Sequence, residues 1–391
     1  MIKRVFLIIM DSVGCGNAPD AKEFDDEGAN TIKHISEREN GIYLPNLETL
    51  GYGNVTEIKG VNPVKPLGIV TTLQELSRGK DTMTGHWEMM GIETLKPFKT
   101  FTETGFPKEL LDELSRRCKR GIIGNISASG TEIIEKYGEH QEKTGDLIVY
   151  TSADSVLQIA ANEKVIPLEE LYEICHIARE LTLDERYKVG RVIARPYIKT
   201  ENGYLRTPNR HDYALSPTNE TTLDYLKEAG FDVISVGKIN DIFNTKGITE
   251  HYSIKSNHDG MERTLDLVKN RDFNGLCFIN LVDFDAMYGH RRDVKGYKMC
   301  LEEFDRDLRP VLDNLREDDI IMISADHGND PTYKGTDHTR EMVPLMIYGN
   351  KVNSKILNSR KSYADIGKTI GRLFNVKDIA IGEEIEDLLK R

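Results

Sequence analysis

The stretch VFLIIM (5–10) is apolar at every position and ends at Asp11, the pattern of a strand covered on both faces of an α/β sheet. LCFINLVDFD (276–285) and DIIMISADHGND (319–330) repeat the pattern, and DVISVGKIND (232–241) does so more weakly. Each run stops at acidic or polar residues. Ligands of open α/β sheets gather beyond the carboxyl ends of the strands, so Asp11, Lys238, Asp285 and Asp326 are expected on one rim. NETTLDYLKEAGF and HDGMERTLDLVKN carry helical spacing between these runs, with Asn219 and Asp259 as candidate caps. MCLEEFDRDLRPVLDNLRED predicts another helix, which Pro310 should shorten.

From about 100 to 218 the pattern changes. Short apolar stretches, turn residues and basic residues alternate there, as in GRVIARPYIKTENGYLRTPNRHDYAL. The expected organisation is a discontinuous α/β core, residues 1–99 and 219–391, with a smaller α/β insertion at 100–218. A chain of 391 residues suits two or three domains.

Composition narrows the function classes. A formal charge of −12 argues against broad attraction to nucleic acid or to an anionic membrane, although a few cations in a cleft can still bind an anion. Five scattered cysteines without CxxC spacing disfavour both a disulfide scaffold and a thiolate zinc site. The apolar run at the start is too short to span a membrane, no later one is long enough, and the cytoplasm is the expected location.

The chemistry concentrates in two segments. SADHGNDPTYKGTDHTREMVPL holds Asp326, His327 and His338, donors that suit Mn or Zn better than Mg, while a turn cap and surface histidines are the structural alternative. NLVDFDAMYGHRRD sets Asp285 five residues before His290, with Asp283 nearby, a weak signal alone. Three carboxylates ending buried strands would repel one another at high desolvation cost, and cations would offset that cost. Two ions roughly 4 Å apart can hold a phosphate between them and activate a hydroxyl. The candidate hydroxyl is Thr84 in KDTMTGHWE, where Thr84 or Gly85 would cap a helix; a hydroxyl there has free N–H groups beside it to cradle phosphate. His86 and Trp87 read as packing residues, with a supporting hydrogen bond open to His86.

Taken together, DSVGCGNAPDA, GKDTMTGHWEMMG, GRVIARPY, SVGKINDIF, DFDAMYGHRRD and ADHGNDPT with GTDHTREMVPL resemble the bacterial phosphopentomutases of the alkaline phosphatase superfamily, essentially end to end. The resemblance implies an alkaline-phosphatase-like core, a largely parallel sheet flanked by helices, with residues 100–218 as a cap. It implies two Mn2+ ions, one held by Asp11, Asp326 and His327 with Thr84, the other by Asp285, His290 and His338. Thr84 would be the phosphorylated residue, and Ser152, Asp154, Arg191, Ile193, Arg206 and Lys238 would contact the sugar phosphate. The implied reaction interconverts ribose or 2-deoxyribose 1-phosphate with the 5-phosphate through a bisphosphate, primed by ribose 1,5-bisphosphate or glucose 1,6-bisphosphate. The partner is then a small pentose phosphate, with no nucleic acid, membrane or obligate protein partner. The rival readings are a phosphomonoesterase of the same superfamily, a phosphoglycerate mutase, and a metal-stabilised binding module without catalysis.

Overall fold

The computed structural model describes residues 2–152 and 154–390. They form two compact units, Met1–Pro97 with Ser216–Arg391, and Phe98–Leu215. The divisions fall two or three residues before the positions 100 and 218 taken from the change in pattern.

The strands in chain order are β1 (Arg4–Met10), β2 (Ile69–Leu73), β3 (Ile122–Ser127), β4 (Leu147–Thr151), β5 (Val156–Asn162), β6 (Arg191–Thr200), β7 (Gly203–Arg206), β8 (His211–Ala214), β9 (Asp232–Val236), β10 (Glu250–Tyr252), β11 (Gly275–Leu281), β12 (Asp319–Ser324), β13 (Val343–Tyr348) and β14 (Lys355–Ile356). The first unit carries an eight-stranded sheet in the order β10-β9-β11-β1-β12-β13-β2-β14. β1 lies parallel between β11 and β12, with Met10 opposite Leu281 and Ile9 opposite both Asn280 and Ser324. All three strands are buried throughout, which is why their apolar runs show no alternation. Because they are in register, their carboxyl ends finish at one level, and the polar residues that follow them share a rim. β13 is antiparallel to β12, so the segment leading into β13 arrives at that same rim.

The opposite end is fixed by Arg4, whose guanidinium donates to both oxygens of Asp319 at 2.8 and 2.6 Å. It also donates to the carbonyls of Leu267, Val268 and Arg271 at the end of helix Asn257–Asn270, where a cation complements the helix dipole. Two helix starts differ from expectation. Thr221 and Ser256, not Asn219 and Asp259, cap helices Thr222–Glu228 and Asn257–Asn270, because theirs are the extended residues whose hydroxyls reach the N–H three positions on. Helix Val294–Asp313 runs through Pro310, which lies so near its end that little is left to interrupt.

The second unit has a mixed sheet, β3-β4-β5-β6-β7, with β8 paired to β6. The pleat sends alternate residues to opposite faces. Leu147 and Val149 of β4 and Val192 and Ala194 of β6 join helices Lys108–Cys118 and Leu168–Leu181 in one core. Ile148 and Tyr150 of β4 and Tyr197 of β6 join Ile133 and Ile134 of helix Gly130–Thr144 in another. All five cysteines are free thiols. Among the described residues, no helix is long and apolar enough to cross a membrane.

Candidate metal centre

Asp11 follows β1, Asp285 follows β11, and Asp326 and His327 follow β12; His338 and His290 come from the flanking loops. Ligand atoms of Asp11, Asp326 and His327 lie within 4.8 Å of one another, as do those of Asp285, His327 and His338. His290 joins the second group, its Nε2 lying 3.1 Å from Asp285 Oδ2 and 3.1 Å from His338 Nε2. The five-residue spacing of Asp285 and His290 becomes intelligible here. Phe284–Gly289 is a π-helical turn, and the N–H of His290 donates to the carbonyl of Asp285 five residues back, which sets both side chains on one side of the turn.

Every donor is held from behind and leaves one atom facing inward. Asp11 Oδ2 accepts from Asn280 Nδ2 at 2.9 Å, Asp326 Oδ1 accepts from the Ser12 N–H at 3.0 Å, and Asp285 Oδ1 accepts from Asn329 Nδ2 at 2.7 Å. The histidine Nδ1 atoms face the carbonyls of Gly328, Thr336 and Lys80 at 3.1, 2.9 and 2.9 Å for His327, His290 and His338. A ring nitrogen against a carbonyl must carry the proton, so each Nε2 presents a lone pair to the centre, the orientation that metal-binding histidines take. Asp11 Oδ1 and Asp326 Oδ2 are buried without a hydrogen bond. Such atoms are expensive to leave unmatched, and a divalent cation is the partner this donor set fits.

The electrostatics agree. Burial, reinforced by Asp326 and Asp285, pushes the Asp11 carboxyl well above its ordinary range. Burial acts in the same direction on Asp285 and Asp326; in the cationic, doubly protonated form of the rings, His338 and His290 hold the first well below that range and His327 and His86 hold the second below it, a role that passes to a bound cation when the Nε2 lone pairs face the centre. A positive charge would be needed to keep all three ionised together.

The two threonines of DTMTG have different surroundings, and the expectation that Thr84 or Gly85 caps the helix is corrected. Asp81, not Thr84 or Gly85, caps the helix Thr82–Met89, its side chain accepting from the Thr84 N–H at 3.1 Å. Thr84 is fully buried, and its hydroxyl donates to Asp81 Oδ2 at 2.5 Å. Thr82, at the first helical position, has its Oγ1 3.2 Å from His327 Nε2. The signal in the sequence was the aspartate directly before Thr82, a preferred cap that would have begun the helix there. Asn280 also escaped selection, while His86 makes the supporting hydrogen bonds left open for it. His86 Nδ1 is 2.8 Å from the Thr82 carbonyl, and its Nε2 accepts from the same Asn280 amide that holds Asp11. An asparagine inside an otherwise apolar strand was the available clue.

Of the residues expected to contact a sugar phosphate, Lys238 belongs to this unit. It follows β9, where its charge lowers the Asp11 pKa. The others lie in the Phe98–Leu215 unit. Arg191 and Ile193 share one face of β6 by the pleat, Ile193 being buried. Arg191 Nη2 is 3.4 Å from Asp154 Oδ2, Ser152 accepts a hydrogen bond from Thr102 at its carbonyl, and Arg206 ends β7.

The model of the Metalloenzyme superfamily matches residues 3–378. The chain belongs to that superfamily, the one that includes the alkaline phosphatases, and is a metal-dependent enzyme. Among solved structures, the PH0037 protein from Pyrococcus horikoshii has a TM-score of 0.51 at 16% identity, over 96% of this chain and 98% of that one. A Leishmania mexicana phosphoglycerate mutase, studied at low cobalt concentration, has a TM-score of 0.50 at 12% identity, over 100% of this chain and 98% of that one. At these identities the likeness is one of fold.

Proposed function

We propose, with superfamily membership as the premise, that this enzyme transfers phosphoryl groups of small phosphate esters through a phosphothreonine, and that it acts as a phosphopentomutase. The reading rests above all on one observation: a hydroxyl at a helix start, Thr82 Oγ1, faces a centre of inward-turned carboxylate and imidazole atoms with two carboxylate oxygens unmatched. Asp11, Asp326 and His327 would hold one cation and Asp285, His290 and His338 the other, with manganese the expected metal. Bound there, two ions would neutralise phosphoryl oxygens and lower the pKa of a nearby hydroxyl.

The chain's own part is alignment. Thr82 offers its hydroxyl where the first N–H groups of its helix are unpaired and can receive phosphate oxygens. His86 and Asn280 keep Asp11 and the start of that helix in fixed relation. Lys238 and the Arg191, Arg206, Ser152, Asp154 and Ile193 set would bind the sugar phosphate, and the insertion would serve as a cap that excludes water. Ribose 1-phosphate or its deoxy analogue would exchange with the 5-phosphate through a bisphosphate, with a sugar bisphosphate priming the threonine. The second reading, a phosphomonoesterase, draws support from the breadth of the family match, which goes no further than the superfamily.

A coupled assay interconverting ribose 1-phosphate and ribose 5-phosphate, with and without manganese and a bisphosphate, separates the two. Isomer exchange without free phosphate supports the mutase; release of free phosphate as the main product replaces it with the esterase. Intact-protein mass spectrometry after priming should find one phosphate on wild type and on Thr84→Ser, and none on Thr82→Ala. A phosphate retained by Thr82→Ala would return the role to Thr84.

A further inference from the structure

The second ligand group of the metal centre depends on an exposed stretch of chain. Residues 334, 335, 336 and 337 lie at the surface and lead directly into the buried His338. Their carbonyls meet the turn that follows Asp285. The Thr336 carbonyl faces His290 Nδ1 at 2.9 Å, and the carbonyls on either side of it, of Gly335 and Asp337, accept from Arg292 Nε at 2.6 Å and from Arg292 Nη2 at 3.2 Å. The same guanidinium also reaches back. Its Nη1 donates to the Gly289 carbonyl at 3.0 Å, next to His290, and to Asn329 Oδ1. A guanidinium offers no acceptor, so this bond turns the Asn329 amide with Nδ2 towards Asp285, to which it donates at 2.7 Å. One side chain therefore grips the chain beside all three ligands: Asn329 for Asp285, Gly289 for His290, and Asp337 for His338.

The first ligand group is held by other means. Asp11, Asp326 and His327 follow buried strands and take their hydrogen bonds from Asn280, the Ser12 N–H and the Gly328 carbonyl. Arg292 itself sits at φ +56°, a left-handed conformation that a glycine would adopt without steric cost. Its four acceptors are all neutral oxygens, and Asp330, Asp285 and Asp337 act on its charge only from beyond ion-pair distance. The position thus uses the fixed fork of the guanidinium, several donors in one plane, more than its charge.

We propose that Arg292 is the positioning residue of the second cation: its hydrogen bonds to Asn329, Gly289, Gly335 and Asp337 set Asp285, His290 and His338 in their metal-binding arrangement, while the first cation is independent of it. The inference rests on the two-cation reading of the centre given above. Electrostatics alone predicts the reverse effect of removing this residue, because taking a positive charge from beside a divalent cation should tighten its binding. Positioning predicts that the binding weakens.

The experiment titrates the full chain, freed of metal with EDTA and dialysed, with Mn2+, counting the free ion by electron paramagnetic resonance. Wild type should take up two ions per chain. Arg292→Ala should take up one at wild-type affinity and the other about 10–100-fold more weakly, the usual cost of removing a group that orients metal ligands. Arg292→Lys keeps the charge but cannot span four acceptors with one ammonium, so it should weaken the same ion about tenfold or more. Arg4→Lys is the structural comparator at the other end of the sheet: it breaks the fork on Asp319 and should lower the melting temperature, yet bind both ions as wild type does. Two ions at wild-type affinity in a folded Arg292 variant, a tighter second ion in Arg292→Ala, or an equal loss of both ions overturns the proposal and leaves the two-cation centre standing. A wild type that binds a single ion overturns that reading and the proposal together.

Discussion

The metal centre and the arginine-rich face of the inserted unit are opposite solutions to one problem. In the first, buried carboxylate oxygens of Asp11 and Asp326 face inward with no hydrogen bond; in the second, the buried hydroxyl of Tyr150 does so beside Arg195 and Arg206. Both leave polar atoms unmatched, at a cost that folding alone would not favour. The charge beside the unmatched atoms has opposite sign in the two places. The difference teaches that an unmatched buried atom is not by itself a ligand site, since Tyr52 Oη and Gln141 Nε2 are also without a hydrogen bond, and that the donors gathered around Asp11 and Asp326 are what single out the metal centre, while the exposed ion pairs of helix Lys108–Cys118, such as Arg116 with Glu113, have everything they need already.

The sharpest way to break that comparison is to remove an unmatched atom. Asp11→Asn takes away a carboxylate that burial, Asp326 and Asp285 disfavour, so the metal-free variant should melt higher than metal-free wild type. Manganese at about a thousand times its dissociation constant should stabilise wild type by about 4 kcal/mol, and most of that gain should vanish in the variant. Denaturant titrations with and without the metal read both effects. A variant that loses stability without metal, or keeps the full gain with it, would place Asp11 among ordinary structural residues.

Glu341 tests the other half of the comparison, a buried acid that does have partners. It accepts from the Thr31 and Thr339 hydroxyls and the Thr31 and Gly16 N–H groups. Burial nevertheless pushes its carboxyl from 4.5 to about 7, outweighing Thr339 and Thr31. The folded state therefore binds this proton more tightly than the unfolded state. Its contribution is fully present below about pH 4.5 and is lost as the pH rises towards 7, a change of roughly 3 kcal/mol. Glu341→Gln should flatten that part of the stability profile measured by denaturant unfolding in EDTA. An identical profile in the variant would show that another group titrates there.

Much of the first region was legible in the sequence because strand ends announce themselves: an apolar run that stops at an aspartate fixes both a strand and a rim position. Side-chain facing was not legible at the helix start, where Thr82 and Thr84 are two residues apart and only the cap at Asp81 decides which hydroxyl turns toward His327. The π-helical turn hid the relation of Asp285 to His290, since a regular helix would send positions five apart to different sides. On the second face, Arg191 and Arg206 came only through resemblance. Tyr150 and Arg195 escaped because alternation in YTSADS and GRVIARPY reveals a face but not whether a buried hydroxyl finds a partner.

Two glycines at helix starts give the smallest expected effects and the most direct contrast. Gly85 follows Thr84 in the first region, and a Cβ there would lie 2.2 Å from the carbonyl oxygen of Asp326, a backbone atom that cannot yield without moving a metal-facing residue. Gly85→Ala should therefore cost about 1–3 kcal/mol, as overpacking does, and should weaken manganese binding as well. Gly130 meets only the ends of two side chains, Tyr150 and Arg206, which can shift by a few tenths of an ångström. Its conformation also suits alanine, whose lower freedom in the unfolded chain should stabilise the protein by up to about 1 kcal/mol. Thermal melts of the two variants should thus move in opposite directions, although each adds one methyl at a helix start. If Gly130→Ala melted as low as Gly85→Ala, Tyr150 and Arg206 would be as unyielding as the backbone at Asp326.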